Sequence, residues 1–193
     1  MTTANKITIV RILLVPFFIS QVLYYVETGN ETYRLLAILS FGVAALSDGI
    51  DGYIARHYNQ RSELGRILDP LADKLLLISG IVLLSLRNEP HLASIPKWLT
   101  VLILSRDVLS VIGYMIIQHA CGKAVVKPVM IGKIATVLQM ACITWALLKW
   151  PPSYLNYLVL ATAACTFVSG LIYLFDGARQ LSASPSSLPT PKQ

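Results

Sequence analysis

Apolar residues run through this chain in long stretches, and the polar residues between them are few and clustered. A helix that crosses a bilayer needs roughly 20 predominantly apolar residues. Six stretches approach or exceed that length: 7–26, 33–56, 67–86, 96–119, 130–150 and 154–176. The connections between them are short and leave little room for a separate soluble domain. The pattern therefore predicts an all-α protein, an integral membrane bundle of six transmembrane helices occupying residues 1–180. The first stretch follows Lys6 and takes in Arg11, as a secretory leader would. It is too long for one, and no small-residue cleavage pattern follows it, so it reads as a retained helix with Pro16 as a tolerated kink. Residues 181–193, rich in Ser and Pro, read as a disordered tail.

Composition supports the same solvent. Of the 193 residues 55% are hydrophobic and 13% charged, and the mean hydropathy is +0.63. A soluble domain carries about 25% charged residues. The net charge of +6 matters less than where the cations fall. With a cytoplasmic N-terminus, Lys6, Arg56, Arg61, Arg66, Lys123, Lys127, Arg179 and Lys192 lie on one side, against Arg34, Arg87, Lys97 and Lys149 on the other. The bias puts both termini, and the loop at 57–66, in the cytoplasm. No single soluble face is basic, so nucleic acid is not an expected partner. Cys121, Cys142 and Cys165 are odd in number and widely spaced, which suits small buried hydrophobes better than disulfides or zinc.

Charge inside an apolar span is costly and marks function by default. The residues so marked are Arg11, Asp48, Asp51, Asp69, Asp73, Lys74, Arg106, Asp107 and Lys133. All but Asp107 fall near a predicted cytoplasmic end, so they are expected to converge on one polar cavity open to that side. Asp48 and Asp51 are three apart, and Asp69 and Asp73 are four apart. Both spacings put a pair on one helix face. The polar stretch 57–65, ending in Gly65, reads as the turn that lays these two helices side by side.

Four carboxylates in a low-dielectric site either protonate in part or hold cations. Oxygen ligands without nearby His or Cys suit Mg²⁺, Mn²⁺ or Ca²⁺. The reading is a site for two divalent ions. A structural alternative is helix capping, by Asp48 or by Asp69 ahead of Pro70. It accounts for one aspartate, not four. Gly49, Gly52 and Ala55 recur every three residues and leave a shallow groove on the same helix. Such a groove serves close helix contact or close approach of a ligand. Beside a metal cluster, a nucleotide is the favoured occupant.

These residues resemble the signature of the CDP-alcohol phosphatidyltransferase family, D-x-x-D-G-x-x-A-R, eight residues, G-x-x-x-D-x-x-x-D. Here it runs Asp48, Asp51, Gly52, Ala55, Arg56, then Gly65, Asp69 and Asp73, with unbroken spacing. The opening N-K-I-T-I-V-R-I-L-L-V-P at 5–16 is similar to the phosphatidylglycerophosphate synthase branch, in which Asn5, Thr8 and Arg11 have counterparts before a Pro. The resemblance implies six transmembrane helices, a homodimer, and transfer of the phosphatidyl group of CDP-diacylglycerol to an alcohol with release of CMP. It implies that Asp48, Asp51 and Asp69 ligate Mg²⁺ or Mn²⁺, and that Asp73 is the general base and also approaches a metal. It further implies that Gly52, Ala55, Arg56, Gly65, Asn5 and Thr8 bind the donor. Phosphoryl transfer depends on positioning and charge neutralisation, and an alcohol nucleophile needs a base within reach. Both fit a carboxylate cluster.

The acceptor is read from Arg106 and Lys133, which suit the phosphate of glycerol 3-phosphate. The alternative for Arg106 is a structural pairing with Asp107. Phosphatidylglycerophosphate synthases often show Arg-Glu at this place, whereas this chain has Ser105-Arg106-Asp107-Val108. That run, with residues 127–139, looks closer to cardiolipin synthases of the same fold, which use phosphatidylglycerol. A polyol such as inositol phosphate is a lesser alternative. Asp176-Gly177-Ala178-Arg179 echoes part of the signature without a second carboxylate pair, and reads as a helix end with a glycine cap. Two rivals outside this reaction are a membrane prenyltransferase, whose aspartate motifs sit on well-separated segments, and a divalent-cation transporter. The transporter leaves the groove and Arg56 without a purpose.

Overall fold

Among the described residues of the computed structural model, every regular element is a helix: α1 (Thr3–Thr28), α2 (Glu31–His57), α3 (Glu63–Ser85), α4 (Lys97–Cys121), α5 (Met130–Leu147) and α6 (Pro152–Ser182). The structure describes residues 3–57, 63–86, 88, 90–121 and 130–182. Within these, the side chains of 3–7, 48–57, 63–70, 114, 117, 118, 120, 121 and 180–182 lie outside the described residues. The all-helical expectation holds. Among the described residues, three segments are long and apolar enough to cross a membrane: Thr8–Thr28, Met130–Leu147 and Pro152–Arg179.

Some boundaries differ from the sequence reading. The turn expected at 57–65 is shorter, because His57 ends α2 and α3 already begins at Glu63. Residues 58–62 lie outside the described residues. Glu63 and Leu64 are good helix formers, and α3 takes them in ahead of Gly65. Asp69 and Pro70 are thus inside α3, and the reading of Asp69 as an N-terminal cap fails. Likewise α6 continues through Gly177 to Ser182, so no glycine cap ends it there. The rest of the proposed tail, 183–193, lies outside the described residues.

The chain divides into two units. The first comprises Met1–Ile95 and Met140–Leu155. Here α1 lies against α2 and α3. Val15, Phe18, Val22 and Tyr25 of α1 are buried at intervals of three and four, one stripe of a helix. Ala37, Ser40, Phe41 and Ala44 form the matching stripe on α2. Small residues let the two backbones approach, and Phe18 fills the gap against Phe41 with ring centroids 5.6 Å apart. The opposite faces expose Val10, Leu13 and Phe17 on α1 and Leu35, Leu39, Val43 and Leu46 on α2. Large apolar faces of this kind belong in lipid. On α3, Gly80 sits where a Cβ would come within 2.8 Å of Ile143 Cδ1.

The connections in this unit are tied by hydrogen bonds. Gly29 adopts φ +69°, and its amide donates to the Tyr25 carbonyl at 2.8 Å. Asn30 Oδ1 accepts from the Thr32 amide at 3.0 Å, which caps α2. Asn88, buried, donates from Nδ2 to the Leu83 carbonyl at 2.9 Å, and the Ile95 amide donates to the Leu84 carbonyl at 2.8 Å, which together satisfy the end of α3. Arg34 of α2 donates from Nη1 to the Leu147 carbonyl at the end of α5, 3.1 Å away. Glu31 accepts from Arg34 and, at 2.8 Å, from Lys149 Nζ. The Lys149 ammonium also lies 5.1 Å from the Tyr25 ring centroid. Hydrogen bonds from Lys149 and then Arg34 hold the Glu31 carboxyl down at about 2, and the bond to Glu31 raises Lys149.

The second unit comprises Pro96–Gln139 and Asn156–Gln193. Leu99, Thr100 and Ile103 of α4 are buried, as are Ala135 and Gln139 of α5. On α6 the buried positions are Val159, Thr162, Thr166 and Ser169, again three and four apart. Leu160, Phe167, Leu174 and Phe175 are exposed on the same helix. A buried stripe of small hydroxyl residues is characteristic of helix contacts in an apolar solvent.

Candidate active site

The two aspartate pairs sit on helices, as their spacing requires. Asp48 and Asp51 belong to α2, and Asp69 and Asp73 belong to α3. The side chains of Asp48, Asp51, Gly52, Ala55, Arg56, Gly65 and Asp69 lie outside the described residues, as does that of Asn5 on α1.

Asp73 is the described member of the cluster. Its side chain is 31% exposed and makes an ion pair with Arg11, whose Nη1 donates to Oδ1 at 2.9 Å. Arg11 is fully buried on α1. A guanidinium inside an apolar helix is stable only with its charge answered, and the carboxylate on α3 answers it. Thr8 lies one turn earlier on α1 and is buried as well. The sequence marked Arg11 as a costly residue but gave it no site role. A lone cation in an apolar span was the available signal; its partner, 62 positions away, was not legible. Lys74 is half-buried beside Asp73 in sequence.

The donor chemistry of this cluster suits a hard divalent cation. The described residues contain no group of three His, Cys, Asp or Glu placed to hold a metal, and the side chains of three of the four aspartates lie outside them. The helical backbones nonetheless carry two carboxylate pairs at one-turn spacing, with only oxygen donors, on elements that lie against one another. Those residues fit Mg²⁺ or Mn²⁺.

Arg106 forms a separate constellation in the second unit. Nη1 donates to Asp107 Oδ1 at 2.9 Å, and Nη2 donates to Ser169 Oγ at 2.7 Å. The guanidinium carbon lies 5.1 Å from the centroid of the Tyr173 ring. Gly132 leaves the space, since a Cβ there would stand 2.9 Å from Nη2 and 3.3 Å from Ser169 Oγ. The pairing with Asp107 that the sequence offered as an alternative is therefore present. Nε of Arg106 is buried and has no hydrogen-bond partner among the described residues. Lys133 is exposed and makes no ion pair among the described residues, so the structure does not bring it to the guanidinium. Its neighbour Gly132 faces Arg106 instead, and one residue along a helix turns the side chain by about 100°. Ser169 and Tyr173 were missed because nothing within α6 announces a partner on α4. Of the cysteines, Cys142 is fully buried, in keeping with a packing role, and Cys165 is half-buried; the side chain of Cys121 lies outside the described residues.

Comparison with known proteins rests on nearly the whole chain. The family model described as CDP-alcohol phosphatidyltransferase matches residues 1–169. A CDP-diacylglycerol–glycerol-3-phosphate 3-phosphatidyltransferase of Bacillus subtilis (strain 168) is 34% identical, covering 93% of this chain and 97% of the relative. The protein of the same description from Escherichia coli (strain K12) is 30% identical, with 94% of each chain covered. A probable phosphatidylglycerophosphate synthase of Mycobacterium tuberculosis (strain H37Rv) is 31% identical, over 92% of this chain and 82% of the relative. The matched region spans the signature aspartates and the Arg106 constellation up to Ser169, and on that extent the chain belongs to the CDP-alcohol phosphatidyltransferase family.

Proposed function

We propose that this protein transfers the phosphatidyl group of CDP-diacylglycerol to glycerol 3-phosphate, forming phosphatidylglycerophosphate and releasing CMP. The observation that carries the reading is the unbroken signature from Asp48 to Asp73, within a chain 30–34% identical to relatives described by that reaction. All six helices cross the membrane in this reading. Both termini and the active site face the cytoplasm, in accord with the bias of Lys and Arg.

Asp48, Asp51, Asp69 and Asp73 would hold Mg²⁺ or Mn²⁺, two ions in all. When bound, the metal supplies charge neutralisation for the pyrophosphate of the donor. Gly52, Ala55, Arg56, Gly65, Asn5 and Thr8 bind the nucleotide and pyrophosphate. Asp73 takes the proton from the acceptor hydroxyl. That oxygen forms a bond to the phosphorus bearing the diacylglycerol, and the bond from this phosphorus to the oxygen of CMP breaks. Arg106 binds the phosphate of the acceptor. Two chains form the working unit, which the mass of the detergent-solubilised particle checks.

The test is CMP release by purified protein in detergent, with Mg²⁺ or Mn²⁺ and CDP-diacylglycerol. Glycerol 3-phosphate and phosphatidylglycerol are offered separately. Release with glycerol 3-phosphate alone is the expected result. Release with phosphatidylglycerol alone makes the protein a cardiolipin synthase, the reading that Ser105-Arg106-Asp107-Val108 favours. Pyrophosphate instead of CMP would point to a prenyltransferase, and metal flux into vesicles without lipid turnover to a transporter.

A further inference from the structure

We infer that Ser169 is a positioning residue for acceptor recognition: it holds the Arg106 guanidinium at the angle that presents Nε to the acceptor's phosphate. The inference rests on Arg106 binding that phosphate. An arginine has five N–H donors in a rigid plane. One is committed to Asp107 and one to Ser169 Oγ, at 2.9 and 2.7 Å. The Tyr173 ring lies 5.1 Å from the guanidinium carbon and adds an attraction of the cation–π kind. Gly132 opens the space that Nη2 occupies, and a Cβ at Gly170 would stand 3.4 Å from Arg106 Cγ.

The two hydrogen bonds and the ring fix the plane of the guanidinium. They leave Nε buried and without a partner among the described residues. A buried donor in that state costs free energy until an acceptor arrives. An anionic oxygen is the acceptor an arginine takes best, and the planar fork adds geometric selectivity. Asp107 balances the charge of Arg106, so net charge alone does not define the site; orientation does. Ser169 is on α6, one turn from Tyr173, so a single helix supplies both restraints.

The experiment measures CMP release by the full chain in detergent, with glycerol 3-phosphate and CDP-diacylglycerol varied in turn. Losing a hydrogen bond to a charged group should raise the acceptor KM of Ser169→Ala by about tenfold. At saturating acceptor, kcat and the donor KM should stay near wild type. Ser169→Thr, which keeps the hydroxyl, should recover the acceptor KM, and Gly132→Ala should raise it by displacing Nη2. An unchanged acceptor KM in Ser169→Ala overturns the inference, as does a fall in kcat alone or a Thr variant as impaired as Ala. Arg106→Ala separates the two levels. If it leaves the acceptor KM unchanged, the acceptor reading of Arg106 itself fails. If it raises that KM while Ser169→Ala does not, only the positioning role fails.

Discussion

Asp73 and Arg11 show what a charged side chain needs in order to persist in an apolar helix. Arg11 is fully buried, and its partner carboxylate is 2.9 Å away on another helix. Breaking an ion pair whose guanidinium is fully buried is destabilising. Arg11→Leu is therefore expected to lower the thermal midpoint sharply in detergent and to reduce turnover with it. Asp73→Asn keeps a polar side chain of similar shape. It should abolish CMP release while metal-dependent binding of CDP-diacylglycerol persists, as titration calorimetry in detergent would read; loss of donor binding would count against the base assignment. The placement of Asp48 and Asp51 on one helix and of Asp69 and Asp73 on the next was legible because that spacing is local in sequence. The Arg11–Asp73 bond and the Arg106–Ser169 bond were not, because each joins helices more than 60 residues apart.

The helices themselves were largely legible, and their ends were not. Long apolar runs fix where a membrane helix must be, but a polar residue at its end does not say whether the helix stops. Hence α2 and α3 reach into 57–65, and α6 continues past Gly177. The ends that are well determined have chemical causes. Gly29 needs a left-handed backbone, and a Cβ there would come within 2.7 Å of His91 Cε1. Gly29→Ala should destabilise the α1–α2 connection by about 1–3 kcal/mol from backbone strain alone, read as a lower thermal midpoint. The tie between α2 and α5 depends on pH in a definite direction. Glu31 has its carboxyl held at about 2 instead of 4.5. Its contribution is complete above about pH 4.5 and is lost as pH falls through about 2. Lys149, whose value is raised, contributes at all lower pH and loses its contribution only in strong alkali. Thermal midpoints measured from pH 7 to 2 should fall over that acid window, and Glu31→Gln should start lower and flatten that part of the curve.

At the scale of the whole molecule, the exposed side chains carry as much meaning as the buried ones. Leu46, Val137 and Phe175 are 69%, 63% and 69% exposed, and each lies on a face with other large apolar residues. Cysteines placed near residue 60 and near the C-terminus should both react with an impermeant label only after cells are opened, if the bias of Lys and Arg sets the orientation. The apolar faces have a further consequence for what holds the chain in shape. Where the surroundings are as oily as leucine, a leucine gains nothing by leaving them for a neighbouring helix. The unfolded reference is then a set of separate helices in lipid, not a coil in water. Specificity of association passes to hydrogen bonds, ion pairs and the closeness of backbones. Trimming Leu39 or Phe175 to Ala should therefore leave the fold nearly untouched, whereas a methyl added at Gly80 must displace Ile143. Evolution of such a chain is free where a soluble protein is constrained, on its greasy exterior, and constrained at the small residues a soluble protein would readily exchange.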